Sequence, residues 1–120
     1  MNAILKGELP ESRCNMGFAS DSQFLYILGG QDLNKGIYND LWRLNLQAVR
    51  DNIRNAQWEQ IFARGDPPKQ ISHCCCFIYQ TKLFVFGGSQ DTNIANKRFK
   101  KADSDLRDLN KPHMFNVLNL

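Results

Sequence analysis

Several signatures of catalytic and membrane proteins are missing from this chain of 120 residues. It has neither a phosphate-cradling glycine motif nor a Gly-x-Ser-x-Gly nucleophile elbow. No apolar run approaches the length of a membrane span, and the amino terminus lacks the long apolar core of a signal peptide. The net charge of +3 is too small to indicate nucleic-acid binding. These absences favour a cytoplasmic binding protein over an enzyme or a membrane protein.

The chain lacks the cysteine spacing of a disulfide framework, because three of its four cysteines lie in one run. The four cysteines are Cys14, Cys74, Cys75 and Cys76. Three adjacent cysteines do not resemble a disulfide framework, and the C-x-x-C spacing of most zinc sites is absent. On a strand, Cys74 and Cys76 share one face while Cys75 points to the other. The prediction is that they pack as free thiols; the alternatives are a metal site that includes His73 and a set of redox-sensitive thiols.

An internal repeat is the strongest positive signal in the chain. Residues 25–30, Leu-Tyr-Ile-Leu-Gly-Gly, return 58 residues later as 83–88, Leu-Phe-Val-Phe-Gly-Gly. Each copy therefore ends in a glycine pair, which is Gly29 with Gly30 and then Gly87 with Gly88. Such a pair lets the chain reverse at positive φ and lets a large side chain approach the backbone. Trp58 is the predicted neighbour of the first pair.

The motifs around the glycine pairs follow a fixed order. In the first copy, Arg13 ends a Pro-x-x-Arg sequence before the first strand, and the glycine pair precedes residues 39–46, Asn-Asp-Leu-Trp-Arg-Leu-Asn-Leu, and then Trp58. Together these motifs resemble the kelch repeat, and the resemblance extends over residues 7–120. In the second copy Ile71 stands where the arginine would align. The resemblance implies that Arg13, Trp58 and the two glycine pairs are structural residues of the repeat.

The resemblance also implies an all-β fold made of β-propeller blades, with one four-stranded antiparallel blade per repeat. We assign residues 1–64 to the first blade with a preceding strand tail, and residues 65–120 to the second. Apolar or alternating segments predict strands at 15–19, 24–28, 41–46, 58–63, 72–79, 82–86 and 114–120. A short helix is predicted within 47–56, and an exposed loop at 31–39. The second copy is expected to lack its fourth strand, so we interpret the chain as a fragment of an incomplete propeller.

A polar insertion at residues 91–110 separates the second and third strands of the second copy. Its composition predicts a solvated loop. It contains a basic run with one aromatic residue, namely Lys97, Arg98, Phe99, Lys100 and Lys101. Long loops on a rigid scaffold frequently carry binding residues, so this run is predicted to contact a partner. A nuclear-import patch is the alternative, which would place the protein in the nucleus as well as the cytoplasm.

The residues do not suggest a catalytic set. His73 and His113 lie in strand contexts, where a structural role is the prediction. We therefore expect no enzyme activity, cofactor or bound metal. The predicted function is a protein–protein interaction module, a scaffold or adaptor that binds through inter-strand loops. The alternative is a fragment of a kelch-propeller enzyme, or of an enzyme fused to a kelch domain. The expected partners are an unidentified protein and further blades, from the same chain or by self-association.

Overall fold

The computed structural model describes residues 7–65, 68–89 and 115–120. Within these residues the strands are β1 (Gly17–Ser20), β2 (Phe24–Leu28), β3 (Gln31–Asp32), β4 (Gly36–Ile37), β5 (Leu41–Asn45), β6 (Trp58–Ile61), β7 (Arg64–Gly65), β8 (Ser72–Tyr79), β9 (Lys82–Ser89) and β10 (Phe115–Asn119). The helical segments are α1 (Leu46–Asn52) and a 3-10 turn (Ile53–Asn55). Strands dominate the described residues, which confirms the predicted all-β fold.

The first sheet is an antiparallel blade with the strand order β1-β2-β5-β6. The small hairpin β3–β4 lies in the connection between its second and third strands. The helix predicted within 47–56 is α1, in the next connection. Asn45 ends β5 and caps α1, because its side chain accepts a hydrogen bond from the Ala48 backbone N–H at 3.1 Å. This cap explains why the third strand stops one residue before the predicted Leu46.

The second sheet has the order β8-β9-β10-β7. The sequence predicted that this sheet lacks a fourth strand, but β7 fills the outer position. The two-residue strand β7 pairs antiparallel with the end of β10, with Gly65 opposite Leu118. In the first sheet Leu44, the repeat counterpart of Leu118, pairs with Trp58. The linker between the sheets thus occupies the place that Trp58 holds in the first sheet. The domain boundary drawn between residues 64 and 65 falls inside β7.

Other strand limits differ from the prediction for local reasons. β1 begins at Gly17 rather than at Asn15, because Asn15 has a φ of 57° and interrupts the extended backbone. β6 ends at Ile61, short of the predicted Ala63. β9 continues through the glycine pair to Ser89, where it pairs with Ser72 on β8. The segments 24–28 and 72–79 match the prediction at both ends.

The two sheets pack face to face around one core. Its buried residues are Ala19, Tyr26, Leu28, Leu41, Ile71, Cys74, Leu83, Val85 and Leu118. The first sheet contributes Tyr26 to this interface, whereas the second contributes Leu83 and Val85. Leu83 is the repeat counterpart of Leu25, whose side chain alternates with that of Tyr26 along the strand. The two blades therefore meet through opposite faces of the same repeat, as neighbouring blades of a propeller do.

The backbone of Ile71 joins the two sheets at the first glycine pair. Its carbonyl accepts a hydrogen bond from the Gly30 N–H at 2.8 Å, and its own N–H donates to the Tyr38 carbonyl at 3.1 Å. The Ile71 side chain is fully buried. Gly29 has a φ of 62°, and a Cβ at this position would overlap the Ile71 carbonyl oxygen. Glycine is required here for both its positive φ and the close approach of the next blade.

The prediction that Trp58 packs against this glycine pair is wrong. Trp58 pairs with Leu44 at one end of the outer strand, and it is only half-buried. Gly29 follows Leu28, which lies at the opposite end of the sheet, in the row of Ile61. Ile71 occupies the space near the glycines because the second blade begins there.

We predict that Gly29→Ala destabilises the protein more than Gly87→Ala does. Both glycines have positive φ, 62° and 72°, so each substitution costs about 1–2 kcal/mol in backbone strain. Only Gly29 faces a packed backbone, whereas no described atom lies within 4 Å of a Cβ at Gly87. Overpacking should add about 1–3 kcal/mol at Gly29.

The measurement is urea unfolding of both variants, with the wild-type chain as reference. Equal losses of unfolding free energy in the two variants would contradict the close approach of Ile71. Because the glycines are repeat counterparts, Gly87→Ala controls for the change in backbone preference.

Candidate binding surface

The hairpin β3–β4 presents an apolar side chain to solvent on an ordered backbone. Asp32 Oδ1 accepts hydrogen bonds from the backbone N–H groups of Asn34 at 2.8 Å and Lys35 at 3.0 Å. Gly36 closes the turn at a φ of 102°. Leu33, at the tip, is 92% exposed. A single exposed leucine is common on protein surfaces, so what distinguishes Leu33 is the ordered turn that presents it.

A buried arginine anchors the base of this hairpin. Arg13 forms a two-pronged ion pair with Asp40, with Nη2 to Oδ2 at 2.9 Å, and Nη1 also donates to the Gly29 carbonyl at 3.0 Å. Its side chain is only 2% exposed, and its guanidinium lies 4.2 Å from the Tyr38 ring centroid. Trp42 Nε1 donates to Asp40 Oδ2 at 2.7 Å. These contacts connect the entry to β1 with the segment that follows the hairpin.

Burial alone would raise the pKa of Asp40. The hydrogen bonds from Arg13 and Trp42, together with the positive charge of Arg13, outweigh it and hold the pKa of Asp40 below its ordinary value of 3.8. The carboxylate is therefore charged in the folded protein at neutral pH. Its two donors hold it in one orientation at the base of the hairpin.

A second, exposed link fixes the side of the hairpin. Glu11 accepts hydrogen bonds from Lys35 Nζ at 2.7 Å and from the Tyr38 hydroxyl at 3.1 Å. The bond from Lys35 and then that from Tyr38 lower the pKa of Glu11. Exposed ion pairs of this kind contribute little to stability, so its main effect is on the position of the hairpin.

An open cleft of about 510 Å³ adjoins the hairpin. It is lined by Glu8, Leu9, Glu11, Tyr38, Asn39, Asp40, Trp42 and Gln60. Leu9 exposes more than half of its surface at the rim. We refer to Leu33 together with this cleft as the hairpin surface. It combines exposed apolar groups with a carboxylate-rich wall, a composition suited to a segment of another protein.

The predicted contact run, residues 97–101, lies outside the described residues, as does His113. The strands before and after it in the chain, β9 and β10, are described. β9 ends at Ser89, opposite Ser72, next to the glycine junction. The hairpin β3–β4 also leaves the first sheet beside this junction, because it follows Gly30. The second-to-third-strand connections of both blades therefore begin at the same end of the molecule.

Other residues singled out in the sequence have structural positions. Gly30 and Gly88 have positive φ, and a Cβ at either would lie 2.8 Å from the carbonyl oxygen of Cys14 or Ser72 respectively. His73 is exposed rather than part of the core, and its φ is 58°. Its backbone N–H donates to the Asn15 carbonyl at 2.7 Å, which adds a second link between the sheets.

Aromatic side chains are exposed on the face of the second sheet that points away from the first. Phe77 and Phe84 stack with ring centroids 4.9 Å apart and planes 7° from parallel. Tyr79 and Phe86 extend this surface, and each is about half exposed or more. Phe84 is the repeat counterpart of Tyr26, which is buried between the blades. The second sheet thus displays the face that the first sheet uses for blade packing.

The sequence predicts a loop at residues 31–39, in which Leu33 does not stand out. The signal was present, because Asp-Leu-Asn-Lys-Gly at 32–36 combines a turn-forming aspartate with a glycine at the closing position. The flanking strands have only two residues each, which is too short for a periodicity to show. In the described part of the chain, no group of three or more histidine, cysteine, aspartate or glutamate side chains could hold a metal ion. Within the same residues, no helix is long and apolar enough to cross a membrane.

The two packed four-stranded antiparallel sheets define a pair of propeller blades. A family model described as the KLHDC2/KLHL20/DRC7 Kelch-repeats domain matches residues 2–119. The chain therefore belongs to the kelch-repeat family, whose domains are usually protein-interaction modules.

Individual relatives agree with this assignment. The human Kelch domain-containing protein 1 is 37% identical over 86 residues, covering 71% of this chain and 20% of that protein. The Kelch repeat-containing protein 2 of Saccharomyces cerevisiae is 33% identical over 76 residues, covering 63% of this chain and 8% of that protein. The Acyl-CoA-binding domain-containing protein 5 of Arabidopsis thaliana is 35% identical over 89 residues, covering 72% and 13%. The chain thus spans a fifth or less of the length of these relatives.

We predict that Asp40→Asn removes an acid-dependent part of the stability. The folded-state pKa of Asp40 is lowered, so its contribution is complete above the ordinary value of 3.8 and is lost as the pH falls below it. The difference in unfolding free energy between wild type and Asp40→Asn should therefore be largest above pH 5 and shrink towards pH 3. Urea unfolding across this range measures it, with Asp51→Asn on α1 as the control. A difference that does not change with pH would show that the Arg13–Asp40 pair has no such role.

Proposed function

We propose that this two-blade unit binds a protein partner through the hairpin surface, as part of a scaffold or adaptor. The observation that carries the proposal is the ordered, 92% exposed Leu33 at the tip of a hairpin anchored by buried Arg13. Preorganised loops lose little conformational entropy on binding, so more of the free energy of an apolar contact there contributes to affinity. Loops on a rigid β scaffold are also where binding residues concentrate.

The two second-to-third-strand connections support the same surface. The connection that contains Lys97, Arg98, Phe99, Lys100 and Lys101 leaves the second blade at the end where the hairpin leaves the first. A partner that covers Leu33 would approach the end of the molecule at which β9 ends. The basic run then adds long-range electrostatic attraction to an acidic region of the partner, which acts mainly on the association rate.

The exposed aromatic face of the second sheet has a different role in this proposal. In a propeller each blade is covered on both faces by its neighbours. The relatives are at least five times as long as the matched region, which leaves room for additional blades. We assign the Phe77–Phe84 face to a further blade, from the same chain or by self-association, and the hairpin surface to the partner.

Substitution at the hairpin tip is the direct test. Leu33→Asp should weaken partner binding at least tenfold, or about 1.4 kcal/mol, without changing the fold, because Leu33 makes no buried contact. The matched control is Ile53→Asp, an exposed apolar residue on the 3-10 turn at the other end of the blade.

Quantitative affinity capture from cell extract would compare wild type with both variants, and the dissociation constant of any protein that Leu33→Asp loses would then be measured with purified components. Unchanged binding by Leu33→Asp, or an equal loss with Ile53→Asp, would show that the hairpin surface is not the binding site. Circular dichroism of each variant confirms that the blades remain folded.

A further inference from the structure

Two of the adjacent cysteines form a close pair on the second blade. Cys74 and Cys76 lie on the face of β8 that packs towards the first sheet, and their Sγ atoms are 3.9 Å apart. Cys74 belongs to the buried core, and Cys76 packs against it half-buried. Cys75 between them is exposed, as the alternation of a strand requires. The pair therefore differs from Cys14 and Cys75, which are exposed to solvent.

Gly17 of β1 creates the space for both sulfurs. A Cβ on Gly17 would lie 2.5 Å from Cys74 Sγ and 2.5 Å from Cys76 Sγ. Any larger residue on β1 would push the thiols apart or out of the interface. The first blade thus supplies the room, and the second blade supplies the two sulfur atoms.

The sulfur separation suits a single ion bound to both atoms. Metal–thiolate bonds are about 2.3 Å long, so two sulfurs on one ion are at most about 4.6 Å apart. At the observed 3.9 Å the two bonds would meet at about 115°, so the linear arrangement of a two-coordinate ion requires the sulfurs to separate by a further ~0.7 Å. Residues two apart on a strand, in contrast, are separated by about 6.6 Å between Cα atoms, at the far end of the range that a disulfide spans. The geometry favours an ion over a disulfide.

The ligand set restricts the kind of ion. A structural zinc site needs four ligands, and no third histidine, cysteine or carboxylate joins this pair among the described residues. Thiolates select soft ions such as Cu(I) over hard, strongly hydrated ones. The apolar surroundings, with Ala19 and Val85 in the same cluster, strengthen that preference because they offer no oxygen ligand.

We propose that Cys74 and Cys76 form a two-sulfur binding site for a soft monovalent cation of the Cu(I) class. One ion binds both sulfurs as both thiols release their protons, which gives a bis-thiolate complex with one negative charge and two free protons. The site lies between the blades, and it does not depend on the proposed partner binding. The ion would link two residues of β8 beneath Gly17 of β1.

The test is an anaerobic titration of the reduced 120-residue chain with Cu(I) in competition with a chromophoric Cu(I) chelator. We expect one high-affinity equivalent per chain, with an affinity that rises with pH because protons are released. Cys74→Ser and Cys76→Ser should each lower the affinity at least tenfold. Cys75→Ser and Cys14→Ser, which alter the exposed thiols, should leave it unchanged.

X-ray absorption of the wild-type complex provides a readout that needs no variant to fold. The expected spectrum shows Cu(I) with two sulfur neighbours and no nitrogen or oxygen. The proposal is overturned if wild type does not compete with the chelator, if Cys75→Ser loses as much affinity as Cys74→Ser, or if the ion has nitrogen or oxygen ligands.

Discussion

The approach of the Ile71 backbone to Gly29 and Gly30 is the contact on which the rest of the structure depends. It fixes where the second blade begins, through hydrogen bonds to Gly30 and Tyr38. Once Ile71 is in place, β8 lies against β1 and the core residues of the two sheets meet. A side chain at Gly29 would block this approach, because its Cβ would occupy the position of the Ile71 carbonyl oxygen. The packing of the two blades is therefore the reason that two adjacent glycines are required here.

The same repeat position has different chemistry in the two copies. In the first, Arg13 pairs with Asp40 and connects the entry of the blade to the base of the hairpin. In the second, Ile71 is a buried apolar residue at the junction. Arg13 stabilises the hairpin of its own blade, whereas Ile71 contacts the neighbouring blade. The hairpin surface and the blade interface therefore originate at one end of the molecule.

Kelch repeats combine a constant sheet with variable loops, and this chain shows why the two can vary independently. Besides its own backbone pairing, the hairpin that carries Leu33 is held by Asp32 and Glu11, whose carboxylates accept hydrogen bonds from the Asn34 N–H and from Lys35. The thiol pair, by contrast, belongs to the interface between sheets and depends on Gly17. Changes in the loop would have little effect on the core, whereas changes near the thiols would alter how the blades pack.

The sequence alone determined the repeat, the kelch resemblance and most of the strands, including 24–28 and 72–79 at both ends, because apolar alternation bounded by turn residues is a local signal. It also determined that Cys75 would face away from its neighbours. Only the tertiary structure decided that Ile71 rather than Trp58 meets the glycines, that β7 closes the edge of β10, and that Gly17 makes room for Cys74 and Cys76. Each of these contacts joins segments that are distant in the chain. Which residues meet depends on how the two sheets stack, and no local sequence pattern specifies that stacking.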